Sequence, residues 1–215
     1  MNKVNKIKRS KDKTLTEQVY EQLEKKIIFC EIEPGTILTE KKICEMLGAG
    51  RTPVREALLL LSKRFLVNIS KAGIMIPQMN ASLQLQLLEA RRPILRTCVE
   101  CAIMRLTQND KDSIEDLLSK ADNLSDKEVF TWLEKRQEVL GKASKNYFIF
   151  ESLRNSQGLS RRFFYYYATK ENHEAVKNFH KKILEYVLKQ DKVNALLNAE
   201  KIIDYIENIV RKYTI

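Results

Sequence analysis

The chain has 215 residues, enough for one large or two small domains to bury a hydrophobic core. With 38 Lys plus Arg against 28 Asp plus Glu its formal net charge is +10, which points to a polyanionic partner. A 44% hydrophobic composition with only 6 Gly and 4 Pro excludes global disorder and indicates a mainly helical protein.

The opening MNKVNKIKRSKDK has no apolar core of the kind a secretory signal needs, and reads as a basic arm over residues 1–13, either touching phosphates or simply solvated. The longest aliphatic run, Ala57 to Leu61, is far short of the ~20 residues of a membrane helix. The expectation is a soluble cytoplasmic protein with no membrane partner. Four cysteines fit reduced thiols better than a disulfide framework. Cys98 and Cys101 form a CxxC, but i and i+3 share a helix face, so they read as small buried side chains and not as a zinc or redox pair.

Thr14 and Glu17 have the spacing of a capping box, and Val19, Leu23 and Ile27 recur every four residues, which predicts a first helix over 15–29. A second helix is expected after Thr39, burying Ile43, Met46 and Leu47 and ending at Gly48. Next comes GAGRTPVREALLLL, in which Thr52 is placed as an N-cap and Pro53 as the first helical residue. Val54, Leu58, Leu61 and Phe65 then form one apolar face, leaving Arg51, Thr52 and Arg55 at the other side of the helix start. After Phe65 the period falls from near 3.6 to 2, so 66–69 and 74–77 are expected to be strands around a Ser70–Gly73 turn.

Three helices with a tight second turn and a terminal hairpin describe a winged helix-turn-helix, assigned to residues 14–77. In that arrangement Arg51 and Arg55 face a DNA major groove, where Arg reads guanine in a bidentate way, while Thr52 and the free backbone N–H groups hold a phosphate. Lys41 and Lys71 flank them on the backbone.

Residues 78–82 form the expected linker, and 83–215 an all-helical antiparallel bundle of six or seven helices. The first of these helices, 82–106, is expected to turn Leu83, Leu87, Ile94, Cys98 and Cys101 inward and to kink at Pro93. Helices over 110–123, 126–144 and 147–169 follow, the last as one or two pieces, then two more on either side of Gln190-Asp191. Five consecutive aromatics in RRFFYYY, Arg161 to Tyr167, must face all ways on a helix, so core with dimer or pocket lining is expected in preference to base stacking.

The stretch LTEKKICEMLGAGRTPVREALLLLSKRFLV, residues 38–67, closely resembles the DNA-binding signature of the GntR family of bacterial transcriptional regulators. Leu38, Glu40, Leu47-Gly48, Arg51 through Leu58, Leu61 and Leu66-Val67 fall in register. The resemblance implies that Lys41, Arg51, Thr52, Pro53 and Arg55, with the wing tip near Lys71 and Gly73, form the operator-binding surface. Gly50 stands where the family usually has Ser, Lys41 where it usually has Arg, and Phe65 where Gly is common.

More loosely, the rest of the chain is similar to the FadR-type (FCD) subfamily, through Glu89-x-Arg91, Ser144-x-Asn146 and His180-x-x-Ile183 with Asp191 and Ala195. This implies a homodimer binding a palindromic operator, controlled by a small effector in the helical domain, most simply as a repressor. Many members hold a divalent metal at positions that here are Leu133, Gln137, His180 and Ile202. Only one of these is a metal ligand, so the expectation is no metal and no cofactor, unless a register slip brings in Glu134 and Glu138. An effector with an acidic group then meets Arg91, Gln137 and His180 directly, or His180 is a satisfied core histidine. No catalytic constellation is recognisable, so an enzyme is not expected. The alternative is a helical protein-interaction adaptor with a vestigial winged head.

Overall fold

The computed structural model describes residues 13–214; all of the basic arm except Lys13 lies outside them. Helices account for 74% of the described residues. Among the described residues no helix is long and apolar enough to cross a membrane. Two compact units are distinguishable, one holding the chain up to Met79 together with Gly158–Tyr166, the other Asn80–Gln157 with Tyr167 onward.

In the first unit α1 (Leu15–Ile28) begins with the expected reciprocal cap between Thr14 and Glu17. The helix α2 (Glu40–Leu47) is capped by the Thr39 hydroxyl, which accepts from the Lys42 N–H at 3.2 Å. It stops at Gly48, whose φ of 61° is the left-handed conformation expected there. Met46 is only partly buried, whereas Ile43 and Leu47 enter the core. The helix α3 (Arg51–Lys63) starts two residues earlier than its sequence suggests. Gly50, not Thr52, is the N-cap, and Thr52 and Pro53 lie within the first turn. Pro53 is tolerated because the N–H groups of a first turn have no intrahelical acceptor anyway.

The end of α3 corrects a second expectation. Phe65 is 65% exposed and does not continue the apolar face; it takes φ 60°. Its N–H donates to the Ser62 carbonyl and that of Leu66 to the Leu61 carbonyl, both at 3.0 Å. This is a Schellman stop, in which Leu66 replaces Phe65 against Leu61 in the core. A left-handed residue at this point accounts for the glycine common there in the family resembled.

The wing holds three strands, not two. β1 (Ile37–Leu38) was not legible; it pairs antiparallel with β3 (Gly73–Met75), which also pairs with β2 (Asn68–Ser70), giving the order β1-β3-β2. The ladder runs to Ser70 opposite Gly73, so the turn narrows to Lys71-Ala72, and Leu66 and Val67 are core residues preceding the strand. Gly73 has φ 129°, and a Cβ there would lie 2.8 Å from the Leu38 carbonyl oxygen. β1 therefore approaches so closely only because residue 73 has no side chain. Val19, Leu23, Ile27, Ile43, Leu47, Val54, Leu58, Leu61 and Ile74 form one core between the helices and the sheet. Gly158–Tyr166 add to this unit: Tyr165 packs edge-on against Phe29 at 5.0 Å, and Arg162 donates to the Pro77 carbonyl at 2.7 Å.

The second unit contains α4 (Ala81–Arg105), α5 (Gln108–Ser119), α6 (Asp126–Ala143), part of α7 (Tyr147–Tyr167), α8 (Lys170–Leu188) and α9 (Lys192–Arg211). With α7 as a single helix, the count after the wing is six among the described residues, within the range expected. Pro93 sits inside α4 without ending it. Along the first part of α4 the inward face is carried by Gln84, Leu88, Arg91 and Leu95, one residue on from the expected Leu83, Leu87 and Ile94, of which Leu83 is exposed and the other two are half-buried; Cys98 and Cys101 are buried as expected. Toward the end of α4 the two stripes merge, with Val99 and Ala102 buried beside Cys98 and Cys101. Asp191 caps α9 by accepting from the Asn194 N–H at 3.1 Å, and Asn146 accepts from the Phe148 and Ile149 N–H groups at the start of α7. Cys98 and Cys101 are free and buried, and burial pushes the Cys98 thiol up to about 12, which leaves it protonated and inert.

Two substitutions test the backbone reading by denaturant unfolding. Phe65→Gly should raise stability by up to about 1 kcal/mol, because it relieves a left-handed residue whose side chain is mostly in water. Gly73→Ala should lower it by roughly 1–3 kcal/mol through strain against Leu38.

Candidate nucleic-acid interface and buried cationic cluster

The start of α3 carries no side-chain cap, since Gly50 has no side chain to offer. Its first N–H groups and the positive end of the helix dipole therefore face outward unneutralised, as an anion-binding terminus requires. Arg51, Thr52 and Arg55 are exposed around it, and Pro53 is half-buried. Lys41 on α2 and Lys71 in the wing turn are exposed as well. Gly73 is half-buried, and its part in the wing is to admit β1. A Cβ on Gly50 would meet nothing nearer than Pro53 Cδ at 4.0 Å, so the serine usual in the family resembled has room here.

One residue of this surface was not singled out from sequence. Glu40, the first residue of α2, accepts from Arg55 Nε through both carboxylate oxygens, at 3.0 and 2.8 Å. The two terminal nitrogens of Arg55 have no protein partner among the described residues, so its forked edge is available. An exposed ion pair of this kind adds little stability; its effect is to hold a long side chain in one direction. The only sequence trace of it is that Glu40 and Arg55 both belong to the matched signature.

In the second unit, α4, α6 and α8 bring four polar side chains into the interior. Arg91, Arg136, Gln137 and His180 are 9%, 2%, 3% and 5% exposed. Arg91 Nη2 donates to Gln137 Oε1 at 3.1 Å, and Arg136 Nη2 lies 2.9 Å from His180 Nε2. Arginine has only donors, so His180 Nε2 is the acceptor and the ring proton sits on Nδ1. Neither guanidinium has a carboxylate partner among the described residues. Arg92, the next residue on α4, shows the contrast: it reaches Glu200, Asp204 and Glu207 on α9 at 2.7–3.0 Å.

The electrostatics follow from this geometry. Burial lowers Arg91 to about 10. Burial, with Arg91 alongside, lowers Arg136 to about 9. Both remain cationic at neutral pH. His180 is held well below 6.5, first by burial and then by the charges of Arg136 and Arg91, and is neutral.

Of the residues expected to meet an effector, Arg91, Gln137 and His180 do converge, and Arg136 joins them. Its sequence signal was a cation at i+3 from Leu133 and i−4 from Leu140, on the inner face of α6. The four positions inferred for a metal do not fit one. Leu133 and Ile202 are buried aliphatics, the Nε2 lone pair of His180 is occupied by Arg136, and two guanidinium charges repel a cation. Of the slipped register, Glu138 points outward and pairs with Lys142 at 2.6 Å. In RRFFYYY, Phe163 and Phe164 are buried, as the core reading expected, and only Tyr166 is well exposed.

The histidine gives a pH prediction. Unfolded, His180 takes up a proton near pH ~6.5 that the folded protein refuses, so its contribution to stability is complete above that pH and is lost as the pH falls below it. Between pH 7.5 and 5.5 the stability of the chain relative to His180→Gln should fall by about 1.4 kcal/mol, measured by urea unfolding.

Residues 15–73 match the family described as bacterial regulatory proteins, gntR family, and residues 86–203 match the FCD domain. The HTH-type transcriptional repressor RspR of Escherichia coli K12 is 31% identical over 93 residues, covering 42% of this chain and 38% of that protein. The HTH-type transcriptional regulator McbR of the same organism is 29% identical over 115 residues, 53% of this chain and 52% of McbR. The matches thus span about two fifths to one half of these relatives. Among solved structures, E. coli McbR/YncC has a TM-score of 0.73 at 21% identity, covering 94% of this chain and all of the other. A putative GntR regulator from Rhodococcus sp. RHA1 gives 0.69 at 21%, covering 93% and 99%. Both share the fold of an N-terminal helix-turn-helix followed by a helical domain. With the FCD match covering more than half its length, the chain belongs to the GntR family of bacterial regulatory proteins and carries an FCD domain.

Proposed function

We propose that the protein is a cytoplasmic, homodimeric repressor of transcription, not an enzyme, whose operator affinity is set by an acidic small molecule bound in the FCD domain without a metal. The observation that carries the DNA-binding half is the uncapped start of α3, with Arg51, Thr52 and an Arg55 oriented by Glu40 exposed around it. Arg55 reads a base edge through its terminal nitrogens, Arg51 and Thr52 with the helix N-terminus hold a phosphate, and Lys41 and Lys71 hold the flanking backbone. Two heads of a dimer then engage the halves of a palindrome, and effector binding changes their spacing. The repressor sense is supported by the name of one relative, RspR. Coupling of ~1–3 kcal/mol between effector and operator would change affinity about 5- to 150-fold.

Binding to the DNA upstream of its own gene, measured across a salt series, tests this. Arg55→Ala should lose roughly 1–3 kcal/mol of discrimination against altered operators, while Lys71→Ala should weaken all sequences alike and flatten the salt dependence by about one counterion. Absence of salt-sensitive DNA binding would favour the rival, a helical adaptor whose winged head contacts protein.

A further inference from the structure

We propose that Arg91, Arg136, Gln137 and His180 form a receptor for a compact oxyanion carrying two negative charges, in which the two guanidiniums supply the positive charge that a divalent cation supplies elsewhere. The proposal rests on the reading of the FCD domain as the effector domain and gives that effector a chemical class.

The first argument is charge. Two cations lie at least nine-tenths buried with no carboxylate partner, although burying an unpaired charge costs several kcal/mol. Their neighbour Arg92 has three acidic partners, so the fold is able to provide counter-charges and provides none here. The second argument is the hydrogen-bond inventory. Within this cluster, among the described residues, the buried nitrogens without a partner are Arg91 Nε, Arg136 Nε, Gln137 Nε2 and His180 Nδ1. Every one is a donor. Gln137 Oε1 faces Arg91 and His180 Nε2 accepts from Arg136, so the two acceptors of the cluster are already used. A neutral ligand would satisfy donors but leave both charges uncompensated, and a cation would add a third. An oxyanion satisfies donors and charges together, through charge-assisted bonds stronger than neutral ones.

The test uses the full chain stripped with EDTA, first without DNA and then, for whichever dianion binds, with operator affinity measured in its presence and absence. Thermal unfolding and calorimetric titration are run at constant ionic strength with inorganic phosphate and with succinate, against chloride. One of the two dianions should raise Tm saturably at one per chain, and which one does so separates a phosphoryl from a dicarboxylate ligand. Arg136→Met should raise the Tm of the ligand-free protein, because it removes an unpaired buried charge, and should weaken the effective dianion roughly 10- to 100-fold. Arg91→Gln carries the same two expectations and serves if the first variant does not fold. No saturable response to either dianion, a response that appears only after zinc or nickel is added, or variants that lose Tm and keep the response would each overturn the receptor. A dianion that binds as expected yet leaves operator affinity unchanged supports the receptor and overturns effector control.

Discussion

The helical unit is organised around a charge that no carboxylate among the described residues neutralises. Three helices, α4, α6 and α8, bury two guanidiniums beside a neutral imidazole and an amide, which is unfavourable in an interior of low polarity. The surroundings must offset that cost. Leu88, Leu95, Val99, Leu133, Leu140, Ile183 and Leu184 provide apolar packing on the same three helices, and Arg92 ties α4 to α9 through three carboxylates. Under the receptor proposed above, a ligand would supply the missing charge, and its binding would be tied to the mutual placement of three helices.

The head applies the same physics at its surface. Its α3 begins with unneutralised N–H groups because the N-cap is a glycine, and the positive end of that helix is surrounded by exposed cations. The core beneath is held by ordinary means: a Schellman stop at Phe65, a left-handed Gly48, and a sheet whose third strand needs a glycine opposite it. Stability is thus concentrated behind the exposed face that carries Arg51, Thr52 and Arg55. Gly158–Tyr166 contribute to that same unit although they belong to α7, so the head is completed by residues about 80 positions further along the chain.

Much of this was legible from local chemistry. Thr14 with Glu17, Thr39, Gly48 and Asp191 mark helix ends because capping involves residues at most a few positions apart. The matched signature placed Arg51, Thr52 and Arg55 on an exposed helix start, where they are found. Errors arose where two local signals competed. Thr52 and Gly50 both qualify as N-caps, and the longer helix won because its first turn tolerates Pro53. On α4 the stripe through Leu83 and Leu87 lost to the one through Gln84 and Leu88, since amphipathic periodicity weakens when polar residues are the ones buried. The strand Ile37–Leu38 is two residues long, too short to carry any alternation.

The sequence by itself determined the helices, most of their caps, the winged head and the family, because each depends on residues near one another along the chain or on a signature read in register. The resemblance to the FCD subfamily also grouped Arg91, Gln137 and His180 as the residues an effector would meet. Only the tertiary structure decided which of them touch, that Arg136 stands among them, that Glu40 orients Arg55, and that among the described residues no carboxylate pairs with either buried guanidinium. Periodicity tells which face of a helix is inward; it does not tell which other inward face it will find. Arg136 and His180 are 44 residues apart, and their contact is fixed by the packing of α6 on α8.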